Sequence, residues 1–344
     1  MNAPIKTLLE YGLFLAEVVT ILVALLVVIN AVAAAIRRGR GGAERPRIHI
    51  TSVNERLRGM RRKMERALLP RKAFRKAVRQ EARRRRRERR LGRNEATGRP
   101  RLFVLDFDGD MRASAVEALR EEITAVLTVA RERDEVLLRL ESPGGVVHGY
   151  GLAASQLRRL RERGITLTVA VDKVAASGGY LMACVADRVL AAPFAILGSI
   201  GVIGQLPNFN RLLKRHDIDF EQHTAGQFKR TLTVFGENTE QGRAKFREEL
   251  EQTHRLFKEF VRENRPALDV ESLATGEYWY GTRARELGLA DELRTSDDYL
   301  LQASRDADVY EVRYARRKHL AERLGESVSS ALARLFARLP GGGA

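Results

Sequence analysis

The 344-residue chain has little of the residue types from which cofactor sites are most often built: one cysteine, Cys184, one tryptophan and six histidines. A single cysteine excludes a disulfide framework and any metal site made of several thiolates. The histidines are scattered without metal-ligand spacing, and no segment fits a nucleotide-binding glycine pattern, so we expect no metal and no organic cofactor. A serine–histidine triad stays open, because triads assemble from distant positions, and His148 lies nearest a glycine-rich turn.

The net excess of positive charge is confined to one part of the chain. The net charge is +17, but residues 37–101 alone hold 26 basic and six acidic residues, so the remainder carries −3. Within the segment 37–99, which we interpret as a juxtamembrane neck, apolar residues recur at helical spacing among arginines: Leu57, Met60, Met64 and Leu68. Such a helix beside a membrane would lie on anionic lipid. A solvated spacer is the alternative, and without interleaved aromatics we expect no nucleic acid.

A long uncharged run precedes this neck. Residues 18–36 contain no charged side chain, which predicts a transmembrane helix over 11–36 after a short tail, 1–10. A cleaved signal peptide is the alternative, but the run is long and its start carries little positive charge. The arginines directly after it favour a single-pass protein of the inner (plasma) membrane with its main domain facing the cytoplasm, a periplasmic domain being the alternative.

From residue 100 onward, strand and helix patterns alternate. Strands are predicted over 101–109, 136–141, 165–172 and 188–193, and helices over 113–131, 148–163 and about 178–186. This order predicts an α/β fold of parallel βαβ units in one domain, 100–296, since the units are not repeated later. The tail, 297–344, has an apolar stripe at spacings of three and four that favours a partner subunit. The stripe comprises Leu320, Leu324, Val328, Leu332, Leu335 and Leu339.

Two candidate sites have simple structural interpretations. The stretch "FVLDFDGD" resembles the opening of haloacid dehalogenase phosphatases, in which Asp106 would accept a phosphoryl group, but no downstream lysine and acidic pair completes that site. A turn at the end of a strand explains it better. Cys184 stands in "LMACVA" as a small apolar position, and we expect it to be buried and unreactive.

Ser177 is the residue with two competing interpretations. It stands between a predicted strand and a predicted helix, where serine is most often an N-cap. It is also followed by Gly178 and Gly179, and backbone N–H groups at a helix start, near the carboxyl ends of parallel strands, suit an oxyanion. These residues alone leave both interpretations open.

Five segments in this order carry a resemblance to a known family. They are "LRLESPGGVVHGYG", "VDKVAASGGYLMACVADRVLAAP", "GSIGVIG", "HTAGQFKRT" and "YGTRARELGLADEL". Together they resemble the S49 serine peptidases, the signal peptide peptidase A family, over residues 100–295. The anchor, the basic neck and the single domain copy are most similar to its SohB branch. The resemblance implies the ClpP/crotonase-like fold.

The resemblance also implies roles for individual residues. Ser177 would be the nucleophile and Lys229 the general base, with Ser199 orienting the lysine. The N–H groups of Gly178 and of a glycine in "SPGG", Gly144 in preference to Gly145, would hold the oxyanion.

Physical logic agrees with this dyad, since a lysine acts as base only when it is neutral, which desolvation favours. Apolar neighbours follow Lys229 in the sequence. Lys173, four residues before Ser177, is a rival base that we expect to meet solvent or a carboxylate. The departure from the family pattern at Glu141, where aspartate is common, lies next to the turn and should leave the chemistry intact.

The resulting expectation is a membrane-anchored serine endopeptidase acting on unfolded or membrane-derived peptides such as remnant signal peptides. Its expected partners are peptide substrates, the lipid bilayer and further copies of itself in a ring or dome. The two catalytic side chains are hypothesised to come from neighbouring subunits. Two rival functions stay open: an acyl-CoA enzyme on the crotonase fold, and a non-catalytic scaffold binding anionic lipid or RNA through the neck.

Overall fold

The computed structural model describes Arg47–Asn94 and residues 99–315, together with positions 19, 20 and 22. The predicted membrane span, 11–36, lies outside the described residues apart from those three positions, and so does the apolar stripe of the predicted tail. None of the helices in the described part of the chain has both the length and the apolar character needed to cross a membrane.

The described elements follow the predicted alternation closely within the main domain. The strands are β1 (Arg47–Ser52), β2 (Arg101–Asp108), β3 (Glu135–Glu141), β4 (Thr166–Val171), β5 (Val174–Ala176), β6 (Arg188–Ala191), β7 (Ile196–Gly198), β8 (Tyr278–Tyr280), β9 (Glu292–Leu293) and β10 (Asp308–Ala315). The helices are α1 (Val53–Leu68), α2 (Arg71–Asn94), α3 (Val116–Leu127), α4 (Val147–Arg161), α5 (Gly178–Ala183), α6 (Asn210–Arg215), α7 (Glu240–Asn264), α8 (Val270–Leu273), α9 (Gly281–Glu286) and α10 (Ser296–Asp306).

A seven-stranded sheet in the order β1–β10–β2–β3–β4–β6–β9 forms the centre of the domain, and every pairing from β10 to β9 is parallel. The α/β prediction is therefore confirmed. The sheet extends beyond the predicted domain 100–296 at both ends, since β1 lies in the predicted neck and β10 in the predicted tail. β10 pairs with β1 on one side and with β2 on the other, and both partners are remote from it in sequence. Pairing between remote segments has no signature in the local sequence pattern.

Helices pack on both faces of this sheet, so side chains on both sides of each strand are buried. For this reason the strand sequences are nearly unbroken apolar runs. Successive residues of β2 point to opposite faces. Phe103, Leu105 and Phe107 join the larger core with α3, α4 and α5, whereas Leu102 and Val104 join a smaller core with α1 and α10. The loops at the carboxyl ends of β3 and β4 are thus held on a rigid base.

A second, three-stranded sheet lies at that end of the domain. β5 pairs in parallel with β7, and β7 pairs antiparallel with β8. Ser142, directly after β3, joins the two sheets: its N–H donates to the carbonyl of Val174 at 2.8 Å, and its carbonyl accepts from Ala176 N–H at 3.0 Å. The turn after β3 and the segment before Ser177 are therefore fixed side by side.

Candidate active site

Ser177 occupies a sharp turn between β5 and α5. Its backbone has φ 52° and ψ −118°, a region that residues other than glycine rarely adopt. The residue stands at the N-cap position of α5, yet its side chain makes no capping hydrogen bond. Ser177 therefore stands at the predicted N-cap position, but the prediction that its side chain caps the helix is wrong. Strain of this kind concentrates at functional sites, and here it presents a hydroxyl that the helix does not use.

Ser199 lies beside Ser177 because their strands run in register. Ala176 is paired with Gly198, and the N–H of Ser177 donates to the carbonyl of Gly198 at 2.8 Å. Ser199 follows directly, with φ 50°, and its own N–H donates to the carbonyl of Glu277. The structure thus brings these two predicted site residues, remote in sequence, to the ends of adjacent strands.

The glycine turn after β3 packs directly against the nucleophile candidate. Gly144 has φ +94°, and a Cβ built on it would stand only 2.7 Å from the Cβ of Ser177 and 2.8 Å from the nitrogen of Gly178. Only glycine fits both the conformation and the space. Gly178 is the first residue of α5, where backbone N–H groups have no partner within the helix.

The N–H of Gly144 is already engaged. It donates to Ser142 Oγ at 3.1 Å, inside the same turn. Gly144 is nevertheless the glycine that packs against Ser177 and Gly178, whereas a Cβ built on Gly145 would collide with the backbone of Met111. To serve as the predicted oxyanion donor, the N–H of Gly144 would have to exchange its bond to Ser142 Oγ for one to the ligand.

A buried polar pair supports both glycine segments. The Ser142 and Tyr150 hydroxyls lie 2.5 Å apart, and Tyr150 also donates to the carbonyl of Asp110 at 2.8 Å. The Tyr150 ring lies directly beneath Gly178, where any Cβ would collide with it. Burial raises the pKa of Tyr150, so its hydroxyl keeps its proton and remains a donor. Both residues stand in the segment "LRLESPGGVVHGYG", but their sequence positions give no sign of this pairing, because only the fold places the two hydroxyls together.

Lys229, the predicted base, lies on the surface of the single chain. It lies in a segment of loops and one short helix, residues 203–238, which we call the lysine segment. The side chain of Lys229 is exposed, and no hydrogen bond of the described residues joins it to Ser177. Of its apolar neighbours in sequence, Phe228 and Phe235 are more than 40% exposed, whereas Leu232 and Val234 are half-buried. In the single chain these side chains therefore do not shield the lysine from water.

The rival base is engaged with a carboxylate. Lys173 Nζ lies 2.9 Å from the carboxylate of Glu141, and both side chains are largely exposed. The hydrogen bond and the charge of Glu141 raise the pKa of Lys173, which favours its protonated form. As expected, Lys173 meets a carboxylate, and it is poorly suited to accept a proton.

Sequence comparison connects this geometry with a known family. Two family models match successive parts of the chain: the N-terminal region of peptidase family S49 over residues 6–157, and peptidase family S49 over 159–310. A probable protease SohB of Buchnera aphidicola is 50% identical over 332 residues, covering 96% of this chain and 97% of that protein. The chain belongs to peptidase family S49.

Two further relatives support the assignment. A probable protease SohB of Haemophilus influenzae is 58% identical over 237 residues, which cover 69% of this chain and 67% of that protein. A protein named protease 4 from the same organism is 28% identical over 170 residues, 49% of this chain and 28% of its own. The chain is thus a peptidase, and the resemblance stated from its motifs is confirmed.

The other chemical candidates of this S49 peptidase have structural roles. Asp106 forms an ion pair with Arg139 at 2.6 Å and another with Arg313 at 2.8 Å, so it is no phosphoryl acceptor. Cys184 is fully buried, and burial raises the pKa of its thiol to about 12, as expected of an unreactive position. His148 is exposed, and within the described ranges no cluster of three acidic, histidine or cysteine side chains is placed to hold a metal.

Proposed function

We propose that this S49 peptidase is a membrane-anchored serine endopeptidase with a Ser177/Lys229 dyad on a ClpP/crotonase-like fold. The observation that supports it most is the turn at Ser177: a positive φ, a hydroxyl outside the helix cap, and an adjoining helix N-terminus. Peptidase membership favours this function over both rivals, the acyl-CoA enzyme and the non-catalytic scaffold.

In the proposed reaction, Ser177 Oγ attacks the peptide carbonyl while neutral Lys229 accepts its proton. The N–H groups of Gly178 and Gly144 hold the tetrahedral oxyanion, the latter in exchange for its bond to Ser142 Oγ. Lys229 then protonates the leaving amine, and an acyl-enzyme remains on Ser177. Water, deprotonated by Lys229, releases the acyl group. Ser199, beside Ser177 at the end of β7, would orient the lysine.

We further propose that the lysine comes from a neighbouring copy. A lysine base must be desolvated, and Lys229 is exposed in the single chain. The lysine segment also exposes an unusual number of large apolar side chains for a monomer, which favours burial against another subunit in a ring or dome. These are Ile203, Leu206, Phe209, Leu212, Ile218, Phe220, Phe228 and Phe235.

The test separates the dyad from its placement. Ser177→Ala and Lys229→Ala are each assayed for peptide hydrolysis and for labelling by a fluorophosphonate, and both should lose activity. The two variants are then co-expressed. A dyad shared between neighbours restores activity, to about a quarter of the wild-type value for random mixing, because one serine-bearing copy must adjoin one lysine-bearing copy. Full activity of either variant would contradict the dyad, and an inactive mixed oligomer would contradict its sharing.

The location and substrates are part of the same proposal. The uncharged run 18–36 would anchor the chain in the inner membrane, and the arginines after it favour a catalytic domain on the cytoplasmic side. An enzyme held there meets peptides left in the bilayer, such as remnant signal peptides. Fusing a reporter that is active on only one side of the membrane to the chain's end tests this topology, and activity only of a periplasmic reporter would contradict it.

A further inference from the structure

Helix α1 carries one apolar stripe of which only half is used by the domain. Its residues recur at spacings of three and four along one side of the helix. Val53 is buried in the smaller core and Leu57 packs against it. The stripe continues through Met60, Met64 and Leu68, which are 56%, 61% and 73% exposed. The same face that docks on the sheet therefore extends beyond it without a partner among the described residues.

The start of α1 is held firmly on the domain. The buried amide of Asn54 donates to the carbonyls of Ser304 and Ala307 at 3.0 and 3.1 Å, and its oxygen accepts from Val309 N–H at 2.7 Å. Arg56 adds an ion pair to Glu311 at 3.2 Å. Because these contacts fix the first turns of the helix, the bare half of the stripe has a set direction relative to the catalytic domain.

The surroundings of the stripe are strongly basic. α1 and α2 together hold 19 basic and four acidic residues, a net charge of +15. By helical spacing, Arg61 and Lys63 flank the bare half on either side. Arg62, on another side of α1, forms an ion pair with Glu81 of α2 at 3.2 Å, so α2 packs away from the stripe.

We propose that the bare half of the α1 stripe docks on a bilayer that contains anionic phospholipid. Such a surface offers phosphates for the arginines and an acyl boundary for the methionines and the leucine, and an amphipathic basic helix matches both. A second copy would bring another charge of +15 against the first. A nucleic acid would satisfy the charge but leave the apolar side chains uncovered. The contact would orient the catalytic domain on the membrane.

A fluorescent label on the intact chain tests this docking. The native Cys184 is fully buried, so a cysteine introduced by Met64→Cys is the accessible site for an environment-sensitive dye such as NBD. Arg66→Cys, on the opposite side of the same helix, is the matched control. Each labelled chain is reconstituted in nanodiscs of phosphatidylcholine alone or mixed with phosphatidylglycerol. Circular dichroism checks that both variants fold.

The expected result is a blue shift of the dye at position 64 in the anionic discs, reversed by about 0.5 M salt, and none at position 66. Three outcomes would overturn the proposal. A shift that is equal in neutral discs and grows with protein concentration would mean a second copy covers the stripe. A shift that appears only on adding RNA would mean a nucleic acid does. No shift under any condition would mean that the stripe stays solvated. None of these readouts depends on the dyad.

Discussion

The two halves of the proposed dyad lie in very different surroundings. Ser177 is held by a paired strand, a packed glycine turn and the Ser142–Tyr150 hydroxyl pair beneath. Lys229 lies exposed in a segment tied mainly to itself, for example by the amides of Asn208 and Asn210, which donate to carbonyls of residues 233–236. One half is preorganised by the fold of a single chain, whereas the other has no desolvating environment there.

This difference is informative because the chemistry needs both halves equally. An oxyanion hole contributes only when its donors are fixed in advance, and the serine side meets that condition. A lysine base requires a dry site, and a single copy of the lysine segment does not supply one. Under the proposed sharing of the dyad, assembly would supply the base to a serine turn that is already formed in the single chain.

The largest expected effect comes from the dyad itself. Ser177→Ala and Lys229→Ala should each reduce kcat by at least about 1000-fold, because each removes a group that acts in the chemical step. Neither should lower Tm by much, since the Ser177 side chain makes no capping bond and Lys229 is exposed. Peptide hydrolysis and thermal unfolding of the same preparations check this. If either variant lost activity and also had a much lower Tm, the loss would point to misfolding instead of to a missing catalytic group.

Two glycines with the same backbone angle give a matched comparison of the halves. Gly144 has φ +94° within a packed turn, and Gly226 has φ +96° in the lysine segment. A Cβ built on Gly226 would lie 4.0 Å from its nearest neighbour, the Cβ of Lys229. Gly144→Ala should cost about 3 kcal/mol or more and reduce kcat about 100-fold, because strain and collision add. Gly226→Ala should cost only about 1 kcal/mol. If urea unfolding showed the same loss of unfolding free energy for both variants, the two halves would be equally rigid.

The hydroxyl pair beneath the serine should have a smaller effect. Tyr150→Phe keeps the ring under Gly178 but removes the bonds to Ser142 and Asp110, costing about 1–2 kcal/mol and about tenfold in kcat with little change in KM. Tyr299→Phe is the control, since its buried hydroxyl bonds Glu135 at 2.5 Å in another part of the sheet. It should lose similar stability and keep its kcat. A normal kcat in Tyr150→Phe would mean that the pair only stabilises the fold.

The smallest effect is expected at the rival lysine. Lys173→Met breaks an exposed ion pair with Glu141, and such solvent-screened pairs contribute little to stability. Activity should change less than about threefold, because Lys173 takes no part in the proposed proton transfer. Steady-state hydrolysis measures this directly. A loss as large as that of Lys229→Ala would transfer the role of base to Lys173 and place the whole dyad in one chain.

Much of the frame was predictable from local pattern. Strands β2, β3, β4 and β6 and helices α3, α4 and α5 follow apolar runs and helical periods that are visible without knowledge of distant neighbours. The three-residue strands β5, β7 and β8 were not predicted, because so few residues show no period. The pairing of β5 with β7 nevertheless aligns Ser177 with Ser199. The strands that are hardest to predict from sequence are therefore those that form the candidate site.

The sequence by itself determined the α/β order, the burial of Cys184, the family and the identity of the candidate nucleophile, because these depend on neighbours along the chain or on motif order. Tertiary structure alone decided that β10 inserts beside β2, that the "SPGG" turn packs on Ser177 and that Ser142 occupies the N–H of Gly144. It also left Lys229 exposed. Each of these depends on contacts between remote residues, whose closure local preferences do not encode.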